Sequence, residues 1–304
     1  METNSLAIFA NFFINNEERL QRLKDSFYSF KDSPDQWVIN VRGKLKYDTG
    51  KFLKDELSEK LQLSYLNSQY GWLHDSKILA SKIKSDYVLF WVEDHLLLKS
   101  PEVLKKCINE MSKFKADQLW YSWFNKDILD TFKVLKPIKR GEYINVRKIG
   151  QKECDQIRKN LYDNWFKDWY IVSCVSIMER NFFLKILSSK KPYLKRWSRS
   201  LPHDFEKKSR DRVVKSINHA MPNEELFASI DDDLGVSGYS LISRNLYPKR
   251  ISREKLKRIE FNLRDSWKDY LKRNLNPSLF KFISLVYIFF KRLFYTFNIF
   301  RNKT

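Results

Sequence analysis

The chain has 304 residues, 43% of them hydrophobic and 15% aromatic, so it can bury a substantial core and is not a disordered protein. Lys and Arg number 57 against 37 Asp and Glu. The resulting formal net charge of +20 favours an anionic partner, whether a nucleic acid, an acidic membrane surface or a phosphorylated substrate. Only seven glycines occur, and neither G-x-x-x-x-G-K-[ST] nor G-x-G-x-x-G is present. A phosphate site built from a glycine-rich loop is therefore not expected.

The three cysteines, Cys107, Cys154 and Cys174, are far apart and lack C-x-x-C spacing. They predict neither a disulfide framework nor a thiolate zinc site, and a reducing compartment is the simpler assumption. The first residues, METNSLAIFANFF, lack the basic region and the small-residue cleavage site of a signal peptide, and they predict a strand instead. We therefore expect a cytoplasmic protein.

The beginning of the chain predicts a strand, a helix and a second strand, which is how a parallel sheet starts. The apolar residues Leu6 to Phe13 predict the first strand. Asn15 and Asn16, followed by two glutamates, predict the start of a helix that ends at about Phe30. Trp37 to Val41 predicts the second strand.

The next segments predict two helices, a buried strand and a third helix. Lys51 to Leu66 and Leu73 to Ile83 show the spacing of apolar residues that is typical of helices. Tyr87 to Val92 is apolar, β-branched and aromatic, and it is too short for a helix. It predicts a strand buried on both faces of a mainly parallel sheet. The motif Ser100-Pro101-Glu102 predicts the start of a helix that ends at about Phe114.

The middle of the chain continues the alternation of strands and helices. Gln118 to Phe124 predicts a strand. The lysine-rich residues Asn125 to Asp168 show mixed signals and predict an insertion that covers or flanks the site. Tyr170 to Met178 predicts another buried strand, and a helix is predicted from Arg180 to about Leu187.

Two further helices are predicted beyond this point. One begins in the polar segment Ser200 to Arg210 and continues through Ile217, and the other begins at Pro222. The second helix is expected to end before the acidic turn Asp231-Asp232-Asp233. Three carboxylates could bind a metal, but no predicted strand delivers them to the edge of the sheet. We therefore interpret this turn as a capping cluster.

The C-terminal part, from about Ile251, is basic and then strongly aromatic. Its longest uncharged stretch, Phe282 to Phe290, has nine residues, whereas a helix needs about 20 to span a bilayer. An aromatic helix flanked by Lys and Arg is typical of an interfacial anchor on an anionic membrane. Packing on the body of the protein or on a second copy is the alternative. We divide the chain into a body, residues 1–250, and a helical extension, residues 251–304.

Three polar side chains, Glu93, Asp94 and His95, directly follow the strand predicted at Tyr87 to Val92. Open α/β sheets bind ligands at the carboxyl ends of their strands, where these residues are expected. Carboxylates and an imidazole suit Mn²⁺ or Mg²⁺ held partly by substrate phosphates. An ordinary polar turn is the alternative.

Two segments, ANFFINNEERLQRLKDSF and SDYVLFWVEDHLLLKSPEVL, resemble the GT-A glycosyltransferases, especially family 2 and its relatives. The resemblance implies a Rossmann-like α/β fold in which Glu93 and Asp94 hold the diphosphate of a nucleotide sugar through a metal. Glu93-Asp94-His95 stands where the family has D-x-D, and it is similar to the D-x-H variant, whose histidine is a metal ligand. The resemblance also implies that Asn11 contacts the donor. Asn40 or Arg42 would replace the family's aspartate near the end of the second strand.

A third segment, HDFEKKSR from His203 to Arg210, resembles the family motif E-D-x-E-L-x-x-R. In inverting members, the aspartate of that motif is the general base. The resemblance therefore implies that Asp204 takes the proton of the acceptor hydroxyl, with Glu206 as the alternative base. Solvated acids at a helix start are the other interpretation of both residues.

Together, the resemblance and the basic, aromatic C-terminal segment imply an inverting, metal-dependent glycosyltransferase at the inner face of the cell membrane. Its partners would be a nucleotide sugar, a glycan or lipid-linked acceptor and an anionic membrane surface, and a homo-oligomer is compatible with the sequence. A non-enzymatic nucleic-acid-binding protein is the first alternative. The basic residues are spread along the chain without a recognition motif, so no specific nucleic acid is expected. A sugar nucleotidyltransferase is the second alternative. Such an enzyme usually has a glycine-rich nucleotide loop near its N-terminus, and no glycine precedes Gly43 in this chain.

Overall fold

The computed structural model describes residues 4–68, 71–122, 135–150, 152–153, 172–188, 205, 216–231, 240–251, 278–279, 282–283 and 285–286. The helices are Glu17–Phe30 (α1), Lys46–Leu57 (α2), Trp72–Ala80 (α3), Pro101–Phe114 (α4) and Arg180–Ser188 (α5). The strands are Leu6–Phe13 (β1), Gln36–Arg42 (β2), Leu61–Ser64 (β3), Tyr87–Phe90 (β4), His95–Leu97 (β5), Gln118–Trp120 (β6), Lys139–Arg140 (β7), Ile144–Gly150 (β8), Ser176–Glu179 (β9), Ser216–Pro222 (β10) and Phe227–Ser229 (β11).

Nine of these strands form one mixed sheet in the order β3-β2-β1-β4-β9-β6-β10-β8-β7. Strands β8 and β9 run against the other seven. The order β3-β2-β1-β4 is that of a Rossmann-like half, in which the chain crosses over through helices between parallel strands. Strands β5 and β11 pair separately in a small antiparallel sheet. The predicted fold class, a mainly parallel α/β sheet flanked by helices, is confirmed.

The first strand and helix lie where the sequence predicts them, because their signals are local. Leu6–Phe13 is buried almost throughout. Asn16 caps α1, since its side chain accepts a hydrogen bond from the Arg19 backbone N–H at 2.9 Å. Leu20, Leu23 and Phe27 form the buried face of α1. This helix therefore covers the sheet immediately beside the end of β1.

An aromatic cluster packs α1 onto the sheet. The ring of Trp37 in β2 stacks on Phe30 with centroids 5.6 Å apart, and Trp91 meets Trp37 edge to face at 5.6 Å. The indole N–H of Trp91 donates to the Ser26 hydroxyl at 2.9 Å. Such ring pairs add to the energy of burial and fix orientation. Trp91 directly follows β4, so this packing holds the start of the segment that carries Glu93.

Several predicted elements are wrong, and strand pairing explains each difference. Residues 61–64, predicted as the end of a helix, form strand β3 beside β2. Residues 139–150, predicted as part of an insertion over the site, form β7 and β8 of the main sheet. Ile217 lies in β10, and the segment after Pro222 forms strand β11 rather than a helix. In each case pairing with other strands overrides a weak local signal.

Among the described residues, no helix combines the length and the apolar character that crossing a membrane requires.

A buried histidine in this sheet makes the stability of the protein depend on pH. Burial, and next the charge of Arg147, lower the pKa of His219 to about 3. Between about pH 6.5 and 3 the unfolded chain therefore binds a proton that the folded chain does not, and stability falls as the pH falls. We expect His219→Phe to reduce the loss of unfolding free energy between pH 7 and 5 by about 2 kcal/mol.

Urea unfolding at both pH values measures this difference. Leu246, which is 65% exposed, is the control, and Leu246→Phe should leave the pH dependence unchanged because it removes no titratable group. An equal pH dependence in the wild type and in His219→Phe would contradict the prediction.

Candidate active site at the carboxyl ends of the parallel strands

The order of the strands reverses between β1 and β4. β2 and β3 continue the sheet on one side of β1, while β4 pairs with β1 on the other. Connections after β1 and β4 therefore leave the same edge in opposite directions and open a crevice, which is where open α/β sheets bind ligands. The chain segments at this crevice are Ile14 to Asn16 after β1 and Val92 to Asp94 after β4.

Asp94 and His95 form a buried pair at this crevice. Their side chains are 9% and 3% exposed, and His95 Nδ1 lies 2.8 Å from Asp94 Oδ1. Burial by itself would raise the pKa of Asp94. The hydrogen bond from His95 and the charges of Arg19 and Arg22 outweigh it and hold that pKa below its ordinary value. Asp94 is thus an ionised carboxylate held inside the protein.

Arg19, in the first turn of α1, supplies the countercharge. Its guanidinium Nη1 lies 2.6 Å from Glu93 Oε1 and 3.7 Å from Asp94 Oδ2. Arg19 was not among the predicted site residues, although the chain order offered one signal. A helix that starts directly after β1 must place its first turn near the end of the neighbouring β4.

A third carboxylate reaches the same region from a distant part of the chain. Strand β11 pairs with β5, so that Ser229 lies opposite His95. The backbone N–H of Ile230 donates to the Asp94 carbonyl at 2.7 Å. Asp231 follows, and its carboxylate lies 3.6 Å from the buried guanidinium of Arg22. The expectation that no strand leads to this turn is therefore wrong for Asp231, while Asp232 and Asp233 lie outside the described residues.

The two carboxylates fit a divalent cation better than the histidine does. Glu93 and Asp94 offer the oxygen ligands that Mn²⁺ and Mg²⁺ prefer. His95 instead directs Nδ1 at Asp94, while its buried Nε2 has no hydrogen-bond partner among the residues that the structure describes. Within the described ranges, no three His, Cys, Asp or Glu side chains come together as a metal site. The metal set Glu93, Asp94 and His95 stays a prediction.

Asn11 and Asn40, predicted to contact the donor, lie behind the crevice and join β1, β2 and α3. The amide nitrogen of Asn40 donates to Asn11 Oδ1 at 2.9 Å, and the amide nitrogen of Asn11 donates to the Ser76 hydroxyl at 2.9 Å. Leu66 exchanges two hydrogen bonds with the Asn40 side chain. These amides fix the ends of the strands. Their direct contact with a donor stays a prediction.

Arg42 connects this amide network to a cavity. Its Nε donates to Asn11 Oδ1 at 3.1 Å, and its guanidinium lies 5.5 Å from the centre of the Phe13 ring. The cavity has a volume of about 300 Å³ and opens at the ends of β1, β2 and β3. It is lined by three basic residues, two aromatic rings, two amides and a glycine: Arg42, Lys44, Lys46, Phe13, Tyr65, Asn15, Asn67 and Gly43. We call it the basic cavity.

Two glycines allow the walls of the basic cavity to approach each other. Gly43 has φ +99°, and a Cβ there would lie 2.3 Å from the Ile14 carbonyl oxygen. At Gly50 a Cβ would lie 1.9 Å from the hydroxyl of Tyr65, whose ring forms part of the lining. At both positions an added side chain would therefore push apart residues that line or border the basic cavity.

Asp204 and Glu206, the candidate bases, lie outside the described residues. Phe205 between them is described and is completely buried. Its ring centroid lies 5.5 Å from that of Phe90, the last residue of β4, and 5.7 Å from that of Phe183 in α5. Phe205 is therefore fixed in the core, in direct contact with the strand that leads to Glu93.

No family model matches the chain, and no curated protein sequence matches it significantly. Among solved structures, residues 1–349 of TarS from S. aureus, in complex with UDP-GlcNAc, are 14% identical. The TM-score is 0.46, over 91% of this chain and 69% of that chain. The mannosyltransferase PcManGT from Pyrobaculum calidifontis, in complex with GDP-Man and Mn²⁺, is 10% identical, with a TM-score of 0.45 over 76% of this chain and 58% of that chain. These TM-scores indicate a partial likeness of shape.

The contact between Arg19 and Glu93 should be stronger than an ordinary surface ion pair, because both side chains are largely shielded from water. We expect a double-mutant cycle with Arg19→Met and Glu93→Gln to give a coupling energy of about 1 to 2 kcal/mol. Denaturant unfolding measures it. Lys31 and Glu56, an exposed pair at 3.2 Å, are the matched control, with an expected coupling of about 0.5 kcal/mol or less. Equal couplings in the two pairs would contradict the prediction.

Gly43→Ala should lower the free energy of unfolding by about 1 to 3 kcal/mol, because it combines an unfavourable φ with a backbone clash. Thermal unfolding measures the change. Unchanged stability in Gly43→Ala would show that the close approach to Ile14 is not a constraint.

Proposed function

We propose that this chain is a glycosyltransferase that uses a nucleotide-sugar donor. One observation carries the proposal. The crevice between β1 and β4, where the strand order reverses, holds the carboxylates of Glu93 and Asp94 together with the cation Arg19. The basic cavity opens on the same edge of the sheet. A site that can hold a nucleotide and a charged leaving group along one edge is what such a donor requires.

The basic cavity would bind the nucleotide part of the donor. Phe13 and Tyr65 offer rings for a base or a ribose, while Lys44 and Lys46 offer positive charge for phosphate oxygens. Its volume of about 300 Å³ is at the lower end of the range for ligand pockets, which is roughly 300 to 1,000 Å³. This space suits a nucleotide whose sugar extends out of the cavity along the edge of the sheet.

Glu93 and Asp94 would face the diphosphate and hold Mn²⁺ or Mg²⁺, with His95 keeping Asp94 ionised and oriented. A divalent cation bound there would stabilise the charge of the departing diphosphate. Arg19 lies against the same carboxylates, so it would limit their flexibility and contribute positive charge of its own. His95 as a third metal ligand remains part of the proposal, and it would require the ring to turn away from Asp94.

Asp204 would be the general base, with Glu206 as the alternative. The base accepts the proton of the acceptor hydroxyl while that oxygen attacks the anomeric carbon. The bond to the diphosphate breaks on the opposite side, so the configuration inverts. The buried contact of Phe205 with Phe90 supports this role, because it ties the motif to the strand that precedes Glu93. The proposed acceptor is a glycan or a lipid-linked sugar.

A screen of nucleotide sugars tests the function directly. The wild type should hydrolyse or transfer from at least one UDP- or GDP-sugar when Mn²⁺ is present. Asp94→Asn should lower the rate at least about tenfold, and Asp204→Asn should lower it by roughly 10² to 10⁴. Glu59→Gln, at an exposed position, is the control and should keep the full rate. Wild-type rates in both aspartate variants would reject the site.

Nucleotide binding tests the basic cavity separately from catalysis. The double variant Lys44→Gln, Lys46→Gln should weaken the binding of UDP or GDP at least about tenfold, because two charges that face phosphate are lost. Isothermal titration calorimetry measures the change. Lys60→Gln, at an exposed position outside the cavity, should bind as the wild type does. Equal affinity in the double variant would place the nucleotide elsewhere.

A further inference from the structure

The few described residues of the C-terminal extension present apolar side chains to solvent. These residues, 278–279, 282–283 and 285–286, are helical. Leu279, Phe282 and Leu285 are 48%, 63% and 59% exposed, and Val286 is 38% exposed. Steps of three and four residues place these positions on one face of a helix. We call this surface the C-terminal apolar face.

The sequence around the C-terminal apolar face carries positive charge only. From Tyr270 to Thr304 there are seven basic residues and no aspartate or glutamate. The seven are Lys272, Arg273, Lys281, Lys291, Arg292, Arg301 and Lys303. An apolar surface among uncompensated cations attracts a partner that offers both hydrocarbon and negative charge.

We propose that the C-terminal apolar face binds the surface of an anionic lipid bilayer. The apolar side chains would enter the boundary between headgroups and acyl chains, and the flanking Lys and Arg would contact lipid phosphates. Lys281 and Lys291 bound the uncharged run, so the helix would lie on the bilayer rather than cross it. This inference goes beyond the proposed function and does not depend on it.

Charge decides between this partner and two others. A second copy of the chain would bring the same seven cations to the interface and be repelled. A nucleic acid would satisfy the cations and leave Phe282 and Leu285 in water. The four exposed side chains are also not covered by the body of the protein. An anionic bilayer offers hydrocarbon to the apolar side chains and phosphate groups to the cations at the same time.

Co-sedimentation of the full chain with vesicles tests the proposal. Binding to vesicles of phosphatidylcholine with about 30% phosphatidylglycerol should be at least about tenfold tighter than to pure phosphatidylcholine. Phe282→Ser with Leu285→Ser should weaken it at least about tenfold through lost apolar burial. Lys291→Gln with Arg292→Gln should weaken it by a similar factor. Leu246→Ser, at a side chain 65% exposed in the body, is the control and should bind as the wild type does.

Circular dichroism and light scattering accompany these measurements. Retained helix content shows that a variant is folded, and the charge variant provides a second test if the serine variant is not. Failure of the wild type to bind anionic vesicles, or equal binding to neutral ones, would overturn the proposal. So would a wild-type dimer that Phe282→Ser with Leu285→Ser converts to a monomer, because the face would then bind a second copy. Nucleotide binding at the basic cavity should be the same in all of these variants.

Discussion

Strand β1 pairs in parallel with β2 on one side and β4 on the other, and the candidate site depends on this double pairing. It brings the segment before Asn16 next to the segment before Glu93, although the two are far apart in sequence. It also directs α1 across the end of β4, which places Arg19 against the carboxylates. Asn11 holds the arrangement from inside by accepting a hydrogen bond from Asn40 across the strand pair.

The electrostatics of the crevice follow from α1. Buried carboxylates stay ionised only when cations and hydrogen bonds replace water. Arg19 and Arg22 provide the cations, and Arg22 is itself paired with Glu18 at 2.7 Å. Arg250, from the end of the body, lies 3.0 Å from the same Glu18. A continuous series of ion pairs thus joins Arg250 to α1, the helix whose Arg19 contacts Glu93 and Asp94.

Much of the first half of the chain could be predicted from the sequence. The bounds of β1, α1 and α4 and the position of Glu93 and Asp94 after a buried strand follow from caps, prolines and apolar runs. Strands β3, β5, β7, β8, β10 and β11 were not predicted, because their segments carry weak local signals and form strands only beside a partner. The position of Asp231 was therefore not predicted either, because it depends on the pairing of β11 with β5. Arg19 was not predicted because no local pattern distinguishes it from the other 56 Lys and Arg residues.

The sequence by itself determined which segments alternate between strand and helix and which polar residues end the central strand, since caps and apolar periodicity act over a few residues. It also determined the charge and aromatic content of the C-terminal extension. Only the tertiary structure decided which charges meet. Pairing between distant strands sets Asp231 near Arg22 and places the basic cavity on the same edge as Glu93. Such contacts depend on the order and direction of strands in the sheet, which no local pattern encodes.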